Sequence, residues 1–378
     1  MKNMKSLLLA GGLMAAALSG ATAETYRASN YNTDNEASSQ VMKWFAEEIA
    51  KATNGEIAFE VFTGGSLLPA KTSLQGIGDG VAQMGFQISV LTPSDLPLTN
   101  SISGYGFVLP IPTAIGAAYA DWVMHDPAAN AEFTSHNVIP VGGFSTPTYP
   151  IICNTSKPVT ELEQLKGLKI RFPGGLITKL AKDLGAVPVT MPAPEIYQAL
   201  QTGQIDCAGI LAAFLNLDST LDEVSKSVTL LGWSPAFYSP IQIYNADFWK
   251  GLTTEQRAAI IKLVARAHAK LQVRLNSDNQ KALDTTRGKG HPIVEPGESI
   301  KKAVADWIAA GVGDMASVAK DTYGVQDPQA LFASFDPYVK KWENLIANVK
   351  DQASEEELYA LFAEHLYKDI DPATYGIK

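Results

Sequence analysis

The sequence predicts an α/β protein of two units with a long helix across them, on three observations. Strand-like and helix-like runs alternate from Tyr26 to Ser89, the rhythm restarts after Val141, and an almost unbroken helical run begins at Thr253. Such alternation gives a largely parallel sheet covered by helices. Two units of this kind leave a cleft between them, where open sheets present ligands at the carboxyl ends of their strands.

Each element has its own signal. Tyr26-Arg-Ala-Ser-Asn30 reads as a short first strand, and a helix follows from about Glu36 to Thr53, with Val41, Trp44, Phe45 and Ile49 on its apolar face. Asn54-Gly55 ends it. Ile57 to Phe62 alternates as a strand, Ala70 to Gly80 is helical, and Ala82 to Ser89 has the look of a buried strand. The second unit opens with one long strand from Val141 to Asn154 and a capping box at Thr160-Glu-Leu-Glu163, which starts a short helix. Strand 167–171, helix Leu176 to Leu184, strand Ala186 to Met191, helix Ala193 to Thr202 and strand Ile205 to Ile210 complete it. Thr253, with Gln256 three residues on, caps a helix that runs to about Thr286. Roughly 30 residues span about 45 to 50 Å, longer than one small domain. Its Arg257, Arg266 and Arg274 are expected on a solvated face. Further helices are expected over Ile300 to Lys320, Asp336 to Ala347 and Glu355 to Tyr367.

Arg171 is the only arginine between Arg27 and Arg257, and it ends the run Gly167-Leu-Lys-Ile-Arg-Phe-Pro-Gly-Gly175. A guanidinium always carries its charge and offers a fork that matches a carboxylate, so an arginine at a strand end beside a Pro-Gly-Gly turn reads as an anion clamp.

The first 23 residues read as a cleavable secretory signal: Lys2 and Lys5 precede an apolar run from Leu7 to Leu18, and Ala21-Thr-Ala23 forms the cleavage site. No later window reaches the roughly 18 uninterrupted apolar residues of a membrane span. A periplasmic mature chain of about 355 residues, too large for one core, is therefore expected. The formal charge of −9 becomes −11 once the two lysines leave. An acidic exterior argues against nucleic acid or an anionic membrane as partner. Cys153 and Cys207 both lie in strand-like runs, and export allows either a bridge or two buried thiols. The five histidines show no metal-ligand spacing. Gln83 stands where a G-x-G-x-x-G frame from Gly78 needs its last glycine, and Gly143-Phe-Ser-Thr-Pro lacks the second glycine of a nucleophile elbow. No cofactor, metal or catalytic group is expected; a secreted hydrolase stays only a remote alternative.

An ordered set of segments carries a resemblance. Gly55-Glu-Ile, Gly65-Ser-Leu, Gln75-Gly-Ile-Gly-Asp-Gly80, Leu165-Lys-Gly-Leu-Lys-Ile-Arg171, Leu184-Gly-Ala-Val-Pro-Val189, Glu195-Ile-Tyr-Gln-Ala-Leu-Gln-Thr-Gly-Gln-Ile-Asp206 and Phe248-Trp-Lys-Gly-Leu-Thr-Thr-Glu-Gln256 together resemble the substrate-binding proteins of tripartite ATP-independent periplasmic (TRAP) transporters, the DctP family. The resemblance implies a two-lobed periplasmic binding protein fold that closes on a small organic acid and delivers it to TRAP membrane subunits. A receptor for an ABC importer or a sensor kinase is the alternative. By position, Arg171 is the arginine that grips the carboxylate. First-lobe contacts fall on Asn30, Tyr31, Phe86, Gln87 and Ser89. Family members often continue the 205–206 strand with Gly-Gln-Glu-Asn, whereas this chain reads Cys207-Ala-Gly-Ile-Leu-Ala. Pro173, Phe214, Asn216, Trp233, Phe237 and Tyr238 are the second-lobe candidates. With one cation and several aromatics, a monocarboxylate fits better than a dicarboxylate. The expected division is a signal over 1–23, a first lobe from 24–145 plus 240–280, a second over 146–239, and C-terminal helices over 281–378 packed across both.

Overall fold

The computed structural model describes residues 25–233, 238–311 and 315–377. The signal expected over 1–23 and the candidate Phe237 lie outside them. Among the described residues no helix is long and apolar enough to cross a membrane.

The strands, in chain order, are β1 (Thr25–Ser29), β2 (Ala58–Phe62), β3 (Met84–Gly85), β4 (Val138–Val141), β5 (Phe144–Ser145), β6 (Ile151–Cys153) and β7 (Lys169–Phe172). They continue as β8 (Val187–Thr190), β9 (Cys207–Gly209), β10 (Ser227–Thr229), β11 (Tyr238–Ser239), β12 (Gln242–Asn245) and β13 (Ile293–Val294). One sheet has the order β2-β1-β3-β12-β4, the other β13-β10-β6-β9-β7-β8. In the first, β1 runs parallel to β2 and β3; in the second, β7 runs parallel to β8 and β9. Strands β5 and β11 pair only with each other, as a short antiparallel ribbon.

The first helix, Ala37–Ala52, buries Val41, Phe45 and Ile49 and stops where Asn54 and Gly55 turn to positive φ. The single strand expected from Val141 to Asn154 is corrected to three, β4, β5 and β6, each in a different sheet. Gly142 takes φ +72°, and a side chain on Gly143 would meet the backbone of Ala120 at 2.8 Å. The chain can turn there only because both residues lack a Cβ. The capping box lies one residue later than expected: Gln164, not Glu163, receives the Thr160 and Glu161 N–H groups. Helix Pro112–His125, with no sequence reading of its own, is the buried centre of the molecule and packs on helix Pro328–Ala347. Asp121 on it accepts from Trp342 Nε1 at 2.8 Å and Lys341 Nζ at 2.6 Å, fastening the C-terminal region.

Helix Thr254–Gly288 has the expected Thr253–Gln256 box and packs on helix 37–52 and on the turn Ala212–Leu215, so it bridges both halves. Arg257 is not on a solvated face. It is buried and donates to the carbonyls of Pro372, Trp249 and Leu252. Arg266 and Arg274 do lie at the surface, paired with Glu356 and Asp278. Beyond the long helix the chain is not purely helical, because β13 adds a parallel edge strand beside β10.

Cys153 and Cys207 face each other across β6 and β9 and form a disulfide. The bridge spans 54 residues of sequence. In the chain-entropy treatment a loop of that length restricts the unfolded state by about 4 kcal/mol. Replacing both cysteines with alanine is therefore expected to lower the unfolding free energy by up to about 4 kcal/mol. Urea denaturation of the pair variant against the parent checks this; coincident curves would remove the bridge from any account of stability.

Candidate ligand-binding site

Between the sheets lies a cavity of about 640 Å³, its open mouth included. It is built from carboxyl ends of strands. Tyr31 and Asn32 follow β1, Phe86 follows β3, Arg171 and Pro173 lie at the end of β7, Pro192 follows β8, and Ile210 and Leu211 follow β9. Phe144 and Thr146 come from the ribbon and its exit, and Leu271 and Leu275, one turn apart, from the long helix.

Arg171 is 3% exposed. Its Nε and Nη2 donate to the Met191 carbonyl at 2.9 and 2.8 Å, and Nη1 donates to the Gly209 carbonyl at 3.2 Å. Three of five N–H groups are thus committed, which leaves one on Nη1 and one on Nη2. Among the described residues no carboxylate pairs with it within 4 Å. Burial brings its pKa down to about 10, against the opposing fields of Tyr149, Tyr31, Glu36 and Glu195, so it stays charged at neutral pH. A buried cation fixed on neutral carbonyls, with two donors over, is an incomplete ion pair.

The tight turn after β7 explains the glycines. Gly174 takes φ +133° and Gly175 φ +71°, and a Cβ on Gly174 would come 3.2 Å from the Val90 carbonyl on the opposite side of the cleft. Gly209 is constrained from the other side, since any Cβ there would stand 2.0 Å from the Phe172 ring. Strand β9 meets Arg171 through its backbone, with the Gly209 carbonyl.

Of the residues named from sequence, Tyr31, Phe86, Arg171, Pro173 and Phe214 line this cavity. The polar candidates point elsewhere. Asn30 Nδ2 donates to Ser38 Oγ and its Oδ1 accepts from Asn32 N–H, holding the turn that presents Tyr31. Gln87 Nε2 donates to Thr92 Oγ1, and Ser89 N–H donates to Ser239 Oγ on the ribbon. Asn216 faces the long helix, donating to the Ala282 carbonyl and Thr286 Oγ1. Trp233 stacks on Phe172 and lines a separate groove with Phe107 and Pro110. Tyr238 is buried in the ribbon, its hydroxyl on the Ser103 carbonyl.

Among the lining residues that no sequence signal nominated are Glu36, Thr146, Tyr149 and Asp218. Glu36 opens the first helix, where an acid reads as an ordinary cap, yet its side chain caps no helical N–H and Oε1 instead accepts from Thr33 N–H, ahead of the helix, at 2.9 Å. Burial raises its pKa to about 8 despite the Thr33 hydrogen bonds and the field of Arg171. Burial likewise raises Asp218 to about 7, with Asp278 adding and Arg274 subtracting. Tyr31 is held well above its usual value, foremost by burial.

Comparison with known proteins now decides the family. The profile of the bacterial extracellular solute-binding protein family 7, DctP, matches residues 28–317. The chain belongs to this family. A solute-binding protein of Albidiferax ferrireducens is 27% identical over 233 residues, 60% of this chain and 65% of that one. The C4-dicarboxylate-binding periplasmic protein DctP of Rhodobacter capsulatus is 30% identical over 37% of this chain and 41% of its own. The chain thus spans less than two thirds of the length of either relative. Among solved structures, the Bordetella pertussis receptor DctP7, which binds pyroglutamic acid, superposes with TM-score 0.70 at 24% identity, over 83% of this chain and 100% of that one. A Bordetella bronchiseptica TRAP solute-binding protein with bound mandelate gives 0.71 at 22%, over 84% and 99%. At such identities the likeness shows the fold, two lobes with a long helix, and this DctP family member shares it.

The raised carboxyls give a testable pH dependence. Glu36 holds its proton in the folded chain up to about pH 8, whereas the unfolded chain releases it near pH 4.5. Stability is therefore expected to fall as pH rises between those values, by up to about 1.4 kcal/mol per pH unit for that group. Glu36→Gln should flatten the slope by one proton's worth, and denaturant unfolding at intervals from pH 5 to 8 checks it. Parallel slopes for variant and parent would mean Glu36 ionises freely in the fold.

Proposed function

We propose that this chain is an extracytoplasmic receptor that captures a compact organic acid between its lobes and delivers it to the membrane subunits of a TRAP-type transporter. The observation that carries this reading is Arg171: a buried guanidinium, pinned by the Met191 and Gly209 carbonyls, with no carboxylate within ion-pair distance among the described residues and two N–H groups over. A ligand carboxylate completes the pair. The walls, from Tyr31, Phe86, Phe144, Phe214, Leu271 and Leu275, suit a compact apolar body. Family membership supports delivery to a transporter, and pyroglutamate and mandelate in the structural neighbours are acids of the matching kind. The role is binding without turnover, at the periplasmic face of the inner membrane.

Capture proceeds by lobe closure in this reading. The chain crosses between the sheets through the β5–β11 ribbon, so rotation needs only a few residues near 142–148 and 238–241 to change conformation. Acid binding favours the closed form by its differential affinity for it.

Arg171→Ala is expected to weaken binding of the cognate acid by about 2 to 5 kcal/mol, thirty-fold to several thousand-fold, because a desolvated charge loses its partner. Arg171→Lys should weaken it too, as a point charge cannot reproduce the fork. Titration calorimetry, after a thermal-shift screen of small acids on the mature chain, makes the measurement; an unchanged dissociation constant would remove Arg171 from the site. With the acid identified, small-angle scattering should show a smaller radius of gyration on saturation. Superimposable profiles would favour a preformed cavity.

A further inference from the structure

The cavity wall carries two acids besides Arg171, and this deepens the reading of Arg171 as a carboxylate anchor. Glu36 and Asp218 come from opposite sides of the cleft, and their segments touch, Thr33 Oγ1 donating to the Asp218 carbonyl at 3.4 Å. Both residues are more than nine-tenths buried. Asp218 Oδ1 has no hydrogen-bond partner among the described residues, and neither has Tyr31 Oη, 4% exposed in the same wall. Arg274, the cation whose field reaches Asp218, is paired with Asp278. Among the described lining residues Arg171 is the one cation.

Buried acceptors without donors cost free energy that a ligand can return. We propose that the captured acid is a zwitterion, carrying an ammonium or amidinium group that donates to Glu36, Asp218 and the Tyr31 hydroxyl while its carboxylate meets Arg171. A cationic nitrogen supplies several N–H donors to a cluster richer in acceptors than in donors, where a hydroxyl supplies one. Charge is balanced when one of the two carboxyls ionises: the ligand carboxylate meets Arg171, its cation meets that one carboxylate, and the other carboxyl keeps its proton. Burial already holds both carboxyls above the usual range, at about 8 and about 7, so one of them is poised to ionise when a cation arrives. A dicarboxylate would set a second anion against these two acids.

The test is calorimetry on the mature chain with matched acids. Compact α-, β- and γ-amino acids and cyclic amidine carboxylates are each compared with the same skeleton bearing hydroxyl or hydrogen in place of the nitrogen. The cationic member of at least one set is expected to bind at least tenfold tighter than its counterparts. Glu36→Gln and Asp218→Asn should each erase most of that preference while the binding of the nitrogen-free acids persists. If nitrogen-free or hydroxylated acids bind the parent as tightly as the zwitterions, the inference fails and the Arg171 reading stands. If neither kind binds at any concentration tried, both fail together. Preference for zwitterions that survives both substitutions would place the cation elsewhere and overturn the assignment.

Discussion

Removing a guanidinium from water without giving it a counter-ion is costly, and much of the second sheet is arranged to meet that cost. Strand β8 ends so that the Met191 carbonyl faces Arg171 Nε and Nη2; β9 runs beside β7 so that the Gly209 carbonyl meets Nη1. Register decides this. Arg171 stands opposite Val189 on one neighbour and Ala208 on the other, and a slip of one residue would send it to the opposite face of the sheet. The Cys153–Cys207 bridge ties β9 to β6 two residues before the carbonyl that Arg171 uses.

The rest of the fold holds the opposite wall in place. Gln272, buried in the long helix, exchanges hydrogen bonds with both backbone groups of Ser145 in the ribbon. Four residues away Asn276 Nδ2 donates to Thr113 Oγ1 on helix Pro112–His125 at 3.4 Å, and a turn further Asn279 Oδ1 accepts from Ala213 N–H at 2.9 Å. One face of one helix therefore touches the ribbon, the second-lobe turn at 212–215 and, through Leu271 and Leu275, the cavity. Apolar packing supplies the bulk of the adhesion; these amides fix where along the helix each lobe sits.

The sequence made Arg171 legible because strand period and a Pro-Gly-Gly turn both act locally, and an isolated arginine there has few competing explanations. It made the helices with clear stripes and caps legible for the same reason. What it hid was decided by distant partners. The 141–154 run does carry break signals, Gly142-Gly143, Pro147 and Pro150, but that the chain leaves one sheet for another there depends on the close approach of Ala120 to Gly143. Arg257 has the setting of a solvated helical arginine, yet carbonyls at Trp249, Leu252 and Pro372 enclose it. Glu36 and Asp218 are ordinary in sequence, a helix-start acid and a loop acid, and only the meeting of two chain segments 182 residues apart removes them from water. Asn30, Gln87, Ser89 and Asn216 show the reverse: polar residues close to a cleft, each claimed by a neighbouring backbone or hydroxyl group.

The contact between Gly209 and the Phe172 ring constrains where this chain could vary. A side chain at 209 has nowhere to go, since its first carbon would already overlap the ring, and moving the ring would disturb the residue next to Arg171. The strand at 207–209 is therefore closed to tinkering: one position is bridged, one is packed, and one must stay glycine. Variation is left to lining side chains that make no hydrogen bond to the scaffold, such as Ile88, Pro192 and Leu211, since Asn32, Thr33, Ala213 and Asn216 are themselves bonded into it. Descendants of this chain would change the cavity wall piecemeal and inherit Arg171 with both of its carbonyls.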